Sequence, residues 1–420
     1  MKHAAALGRH ELENESLHRG ARLLLCSVAL LLCSRPQLVL AASAPPDSTA
    51  CPDAARMQAA EKGLKLEELM SKSQIPGMSI AVVRHFRIAC AKGYGVTKQG
   101  GHAAVTPATL FLAGSISKPV AAVGALFLVQ EGKVSLDEDV NRKLRSWKVR
   151  ENEFTRTRAV SLGLLLDHTG GFTGGDFFPG YAAGTPLPLL TQILEGEPPA
   201  VNAPMRVEFV PGSRWKYSGD GYLVVQQLLM DVSARSFPDF MRDAVFDKLG
   251  MHDSTYEEPL PAAKAASAAA GTLRDGTAVA GGWHVNPEMA AGGLWSTPSD
   301  LARLAIDLAQ SARGEGGRVL SQATALDMLD AHWRDGVINL FGPPGDPDAM
   351  GYGFFVGKGH RFGHIGGNVG YQATLLMFGD SGNGIVIMTN SDVGLNAGNP
   401  LLNRIAEVFG WNYVAPPLPF

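Results

Sequence analysis

The chain has 420 residues, a formal net charge of −3, and 45% hydrophobic against 18% charged residues. That balance excludes a disordered chain and a basic nucleic-acid-binding surface, and the length suits one large domain or two subdomains. Four cysteines in this length exclude a disulfide scaffold.

The N-terminal stretch reads as an export signal. Lys2, Arg9, Arg19 and Arg22 precede the apolar run Leu23 to Cys33, and small residues follow at Ala41, Ala42, Ser43 and Ala44. The run is too short to span a bilayer. The expectation is a signal peptide over 1–44, an exported (periplasmic or secreted) chain from 45 to 420, and no stable membrane span. Cleavage would remove Cys26 and Cys33 and leave Cys51 and Cys90, which an oxidising compartment would allow to pair.

Helical spacing of Met57, Ala60, Leu64, Leu66, Leu69 and Met70 predicts an amphipathic helix over 53–73, broken at Pro76-Gly77. Residues 78–83 and 88–91 read as two strands joined by a tight turn around His85 to Arg87. Next comes Ser115-Ile116-Ser117-Lys118, followed at once by the apolar positions Val120, Val123, Leu126, Phe127 and Val129. On a helix, positions three apart share a face, so Ser115 and Lys118 point the same way. A serine hydroxyl needs a neighbouring base to act as a nucleophile. A lysine amine becomes such a base when burial and the positive end of a helix disfavour its ammonium. Pro119 is tolerated only near a helix start, which places Ser115 there with its own N–H free to face an oxyanion.

Residues 162–171 predict a short helix ending at Gly170-Gly171, and 174–214 read as long loops around a short helix near 189–194. Helices are expected over 222–233 and 237–249, and a helix or surface loop over 261–270. Thr297 or Ser299 caps a helix over 301–310. Strands return at 351–357, 361–366, 371–378 and 384–390, and a closing helix runs over 401–409. Strands at both ends with helices between imply one sheet built from both termini (about 52–135 and 290–420) and a mostly helical subdomain over about 136–289.

Two further motifs converge with the first. Tyr217-Ser218-Gly219 precedes a helix, and a phenol beside a lysine ammonium can pass protons between nucleophile and leaving group. His364-Ile365-Gly366-Gly367 lies on a predicted strand, where glycines let a substrate backbone approach; His364 would line the pocket and the Gly367 N–H would be a second oxyanion donor.

In this order, Ser-x-x-Lys, Tyr-Ser-x and His-x-Gly resemble the penicillin-recognising serine hydrolases, most closely the class C β-lactamase branch with its D-alanyl-D-alanine carboxypeptidases, D-aminopeptidases and carboxylesterases. The likeness covers roughly residues 75–410. Supporting phrases are Leu165-Leu166-Asp167-His168-Thr169-Gly170-Gly171, Leu249-Gly250-Met251 with Ser254-Thr255, and Gly292-Gly293-Leu294-Trp295-Ser296-Thr297. The resemblance implies an α+β, β-lactamase/transpeptidase-like fold, with an antiparallel sheet flanked by terminal helices plus a mostly helical subdomain. It implies Ser115 as acylated nucleophile, Lys118 as its base, Tyr217 as proton shuttle, and the N–H groups of Ser115 and Gly367 as oxyanion hole. It also implies a small ester, amide, peptide or β-lactam as substrate and no cofactor or metal. Gly219 stands where the family carries Asn, and His364-Ile365 where true class C β-lactamases carry Lys-Thr. Losing a hydrogen-bond donor to a substrate carboxylate costs roughly 1.5–3 kcal/mol, which moves the expectation toward esters or amides lacking that carboxylate.

The competing reading is a penicillin-binding or sensor-like protein with little turnover. A metal-dependent hydrolase would want His-Glu-x-x-His, which the sequence lacks. An α/β-hydrolase would want Gly-x-Ser-x-Gly, but Ala113 occupies the first glycine position.

Overall fold

The computed structural model describes residues 51–175 and 177–417. The expected signal segment, its cleavage site, Cys26 and Cys33 lie outside them. Among the described residues no helix is long and apolar enough to cross a membrane.

Two N-terminal helices, α1 (Ala54–Leu64) and α2 (Leu66–Lys72), replace the single helix expected over 53–73. The break falls at Lys65, whose φ is 51°, and the two segments bury Met57, Ala60, Leu66 and Met70 in one core. The hairpin follows as β1 (Gly77–Arg84) and β2 (Arg87–Gly95). His85 and Phe86 form its two-residue turn, both at positive φ as a tight hairpin of this hand requires. The short β3 (Phe111–Leu112) leads into the Ser115 turn and α3 (Ser117–Gln130). Eleven of the 14 residues of α3 are buried; a helix apolar all round belongs in the middle of a core rather than on its surface.

The helical half includes α4 (Gly219–Ser233), capped by the Ser218 hydroxyl, and a run from Phe237 to Leu249. That run is not one regular helix: a wide turn over Arg242–Phe246 interrupts it and carries Val245 and Phe246 into the core. The helix expected over 162–171 ends at Leu166, because His168, not a glycine, takes the left-handed conformation with φ 64°. The chain returns through β4 (Trp295–Ser296), which pairs with β3, and α5 (Pro298–Ala312), capped by the Thr297 hydroxyl on the Asp300 N–H.

The remaining strands are β5 (Ala349–Met350), β6 (Phe355–Gly357), β7 (Arg361–Asn368), β8 (Tyr371–Phe378) and β9 (Asn383–Thr389). Residues 351–354 lie outside any strand, contrary to the continuous strand expected over 351–357. The sheet order is β2-β1-β9-β8-β7-β6-β5, with every neighbouring pair antiparallel, so N- and C-terminal strands interleave through β1 beside β9. Successive side chains of a strand point to opposite faces. Ile80, Val82, Ile385 and Ile387 therefore meet α1, α2 and the closing helix α6 (Leu395–Val408), which starts six residues earlier than expected and carries Pro400 inside it. Ala81, Val83, Val386 and Met388 meet the opposite core, which α3, α4 and α5 share. The described residues form one compact unit, with a disulfide between Cys51 and Cys90 tying the start of α1 to β2.

Candidate active site

The Ser115 turn is locked from several sides. Gly114 has a φ of 54°, a conformation that costs a side-chain-bearing residue energy. The Ser117 hydroxyl donates to the Gly114 carbonyl at 2.6 Å and accepts the Leu294 N–H at 3.0 Å. The Ala113 N–H reaches the Leu294 carbonyl at 2.8 Å, and the Tyr256 hydroxyl donates to the Ser117 carbonyl at 2.7 Å. Ser115 is thereby fixed at the start of α3, half-buried, with its hydroxyl reachable.

Lys118 is 1% exposed. Its Nζ lies 3.0 Å from Ser115 Oγ and 2.8 Å from the Ala291 carbonyl oxygen. The three-residue spacing thus brings amine and hydroxyl within hydrogen-bond reach. The Ala291 carbonyl, which no sequence motif marks, takes one N–H and aims the amine at Ser115. Such a pair can transfer the hydroxyl proton to the amine once the amine is neutral.

β7 runs against the back of this turn, backbone to backbone. A Cβ on Gly366 would lie 1.9 Å from the Ala113 carbonyl oxygen and 3.1 Å from the Ser115 nitrogen. A Cβ on Gly114 would lie 2.4 Å from the Gly367 nitrogen. Only glycines permit this approach, and it brings the Ser115 and Gly367 amides together at one rim. Gly367 is exposed and its outward side faces open space.

Tyr217 lies over the amine, its ring centroid 5.0 Å from Lys118 Nζ. Two histidines flank it. His168 stacks at a tilt 4.5 Å from the Tyr217 ring, and His364 stands 6.2 Å away. His168 lies in the Leu165–Gly171 phrase, and the sequence alone assigns it no role. In the structure its carbonyl accepts the Lys216 N–H at 3.0 Å and its Nδ1 accepts the Ser218 N–H at 3.1 Å. The residues on both sides of Tyr217 are therefore pinned to one buried residue, Lys216 through its backbone and Ser218 through its ring. An Nδ1 that accepts leaves the proton on Nε2.

His364 is buried, not open to the cleft, and its Nδ1 faces the Ile365 carbonyl at 2.5 Å. Burial, with the Lys118 ammonium adding to it, pushes the His364 imidazole down to about 3. The same two causes, with His364 itself, push His168 well below the ordinary 6.5. Both rings are neutral at physiological pH. Gly219 is buried as well. Its N–H donates to the Gly175 carbonyl at 3.0 Å, and a Cβ there would lie 2.3 Å from that oxygen and 2.5 Å from the Phe178 ring. The position that carries Asn in the resembled family seats Gly175 and Phe178 here, with no room for a side chain. Among the sequence-predicted residues, Ser115, Lys118, Tyr217, His364, Gly366 and Gly367 converge; Gly219 instead packs against Gly175 and Phe178.

A family model described as Beta-lactamase matches residues 64–408. Penicillin-binding protein 4 of Amycolatopsis lactamdurans is 26% identical over 362 residues, covering 84% of this chain and 92% of its own. The octameric penicillin-binding protein homologue from Pyrococcus abyssi matches with a TM-score of 0.66 at 22% identity, over 85% of this chain and 78% of that one. The D-amino acid amidase from Ochrobactrum anthropi SV3 matches with a TM-score of 0.65 at 21% identity, over 84% of this chain and 98% of that one. Both solved structures share the fold: an antiparallel sheet with terminal helices and a helical half.

Proposed function

The chain belongs to the β-lactamase family of serine hydrolases, and from that premise we propose that Ser115 is its acylated nucleophile, acting on small esters or amides. The observation that carries this reading is the 3.0 Å contact between buried Lys118 and half-buried Ser115 at the rim formed by the Ser115 and Gly367 amides.

In the proposed cycle, neutral Lys118 takes the Ser115 proton as Oγ adds to the substrate carbonyl. The oxyanion is held by the N–H groups of Ser115 and Gly367, preorganised donors of the kind whose loss costs about 10²–10³ in kcat. Tyr217, beside the amine, relays the proton to the leaving group. Water then adds to the Ser115 ester, its proton travels back through the same groups, and the acid is released. His168 holds Tyr217 in place.

The neutral state of His364 supports esters and amides over β-lactams. A lysine at that position offers a charge to a substrate carboxylate; an uncharged imidazole turned onto its own strand does not. The Cys51–Cys90 disulfide supports export, since such bonds persist in oxidising compartments. We propose that the chain is exported, a reading the sequence of residues 1–44 also supports, with small molecules or peptides as partners.

The test is hydrolysis of p-nitrophenyl butyrate by the chain from residue 45, with and without EDTA, beside Ser115→Ala. EDTA-insensitive turnover lost in the variant supports the reading. Turnover that persists in the variant overturns the role of Ser115. An adduct with penicillin but no turnover of any ester would favour the binding-protein reading instead.

A further inference from the structure

The Ala291 carbonyl receives the Lys118 amine at 2.8 Å, so the stretch that carries this carbonyl sets where the amine points. That stretch is a single helical turn, Met289–Gly292, with its flanks. Its downstream end is tied to the nucleophile turn. The Leu294 N–H donates to the Ser117 hydroxyl at 3.0 Å, and the Leu294 carbonyl accepts the Ala113 N–H at 2.8 Å. Its upstream end is tied to a different element. Gln226, on α4, donates through Nε2 to the Pro287 carbonyl at 3.2 Å and accepts the Ala290 N–H through Oε1 at 3.0 Å. The Asn368 amide on β7, one residue past Gly367, adds a bond to Asn286 Oδ1 at 3.2 Å.

Gln226 is 2% exposed. Between Leu223 and Leu229 the other residues are apolar except Gln227, whose amide turns to Asp231 at 3.0 Å. A buried amide is tolerated where its donor and its acceptor are both met, and one turn meets both here. The turn needs the amide in return. A helix leaves its first N–H groups without partners of its own, and Ala290 lies in that first turn. α4 is also the helix that Tyr217 precedes, so one element fixes the phenol at its start and the turn that aims the amine two helical turns further on.

We infer that Gln226 is a positioning residue for the general base: its amide holds the 287–290 stretch where the Ala291 carbonyl aims Lys118 at Ser115. The inference rests on the hydrolase reading, in which Lys118 is that base, and adds to it a residue that touches neither substrate nor reacting atoms. The line of contact is continuous. Gln226 holds Ala290, the next residue is Ala291, its carbonyl takes Lys118 at 2.8 Å, and Lys118 reaches Ser115 at 3.0 Å. Without the amide, Pro287 and Ala290 lose their tie to α4, and a misplacement of about 1 Å in a reacting group is enough to cost 10²-fold in rate.

The test is a double-mutant cycle on p-nitrophenyl butyrate. Gln226→Met keeps the length of the side chain and removes its donor and acceptor. Alone, it is expected to lower kcat at least ten-fold, with KM changed less than three-fold and cooperative melting retained. In a Lys118→Met background it is expected to change the residual kcat less than two-fold, since the group it positions is gone. Equal losses in the two backgrounds overturn the inference, because a glutamine that only stabilised the core would act alike with or without the lysine. A folded Gln226→Met enzyme within three-fold of wild-type kcat overturns it too. Gln226→Glu, which keeps an acceptor for the Ala290 N–H, enters the same cycle if Gln226→Met fails to fold. A second measurement needs no turnover. Crystal structures of the wild type and Gln226→Met are expected to show the distance from the Ala291 oxygen to Lys118 Nζ lengthened beyond about 3.5 Å in the variant, outside hydrogen-bond range; a distance unchanged from 2.8 Å overturns the positioning role. The hydrolase reading fails separately: if the wild type turns over no ester, that reading is lost, and the pair of crystal structures still decides whether Gln226 places the amine.

Discussion

Gly366→Ala tests whether the closeness of β7 to the Ser115 turn is what assembles the site. The new methyl carbon would start 1.9 Å from the Ala113 carbonyl oxygen, where ordinary contacts begin at 3.4 Å. The obstacle is backbone, held by the Ala113–Leu294 hydrogen bond, so no side chain can swing aside. Strand and turn must separate by about 1.5 Å at this point, and a misplacement of about 1 Å is enough to cost 10²-fold in rate. Displacing the Gly367 N–H from the oxyanion adds the loss of a donor, about 2.7–4 kcal/mol. The expected outcome is a fall in kcat of at least 10²-fold on p-nitrophenyl butyrate, with a cooperative thermal transition retained. Gly367→Ala is the companion, because a Cβ there meets nothing within 4 Å; it should lose at least ten-fold less activity than Gly366→Ala. A folded Gly366→Ala enzyme within three-fold of wild-type kcat would refute the reasoning.

Other outcomes follow from the same geometry. Lys118→Met should lower kcat by about 10²–10⁴, the usual worth of a positioned general base, and Ser115→Ala with Lys118→Met should be little worse than either alone; additive losses would show that the two do not act as a unit. His168→Ala should lower kcat far more than KM, and His168→Gln should recover part of it if pinning Tyr217 is its role, which steady-state kinetics would show. Thermal stability should peak between about pH 4.5 and 6.5. The histidines are held below 6.5, so their contribution is full above that pH and is lost as pH falls toward the value of about 3 at His364. Glu258 and Glu288 are pushed up to about 8 and 7, so their contribution is full below 4.5 and is lost as pH rises through those values. A melting profile whose alkaline limb is unmoved by Glu258→Gln would contradict the second half. Removing the Cys51–Cys90 bond, which spans 39 residues, should cost about 4 kcal/mol by the chain-entropy relation, seen as a lowered denaturation midpoint with kcat unchanged.

The heart of the candidate site was legible because its first contact is local. Ser115 and Lys118 are three residues apart on one helix start, and that spacing alone yields the 3.0 Å approach. The hairpin of β1 and β2 was legible for the same reason: alternation and a two-residue turn are short-range signals. What remained hidden depends on distant partners. β3 and β4 are two residues each and exist because Phe111 and Leu112 meet Ser296 and Trp295; two residues have no period to read. The 162–171 segment offered Gly170-Gly171 as a stop, but His168 takes the left-handed turn, because its ring is buried against Tyr217 and Tyr222. The closing helix, expected from 401, extends back through Pro400 to Leu395, with Ala397 and Leu401 packed into the core. Glu288 carried no signal at all, since its neighbours around one cavity, Phe178, Tyr181, Arg206 and Glu208, are distant in sequence.

The central claim is a covalent bond to Ser115. The direct measurement is peptide mass after rapid acid quench of the chain with p-nitrophenyl butyrate, run beside the nitrophenolate burst. The account predicts a butyryl group on the peptide containing Ser115, formed in the burst and absent in Ser115→Ala. Steady turnover with that peptide unmodified, and equal turnover in Ser115→Ala, would contradict it.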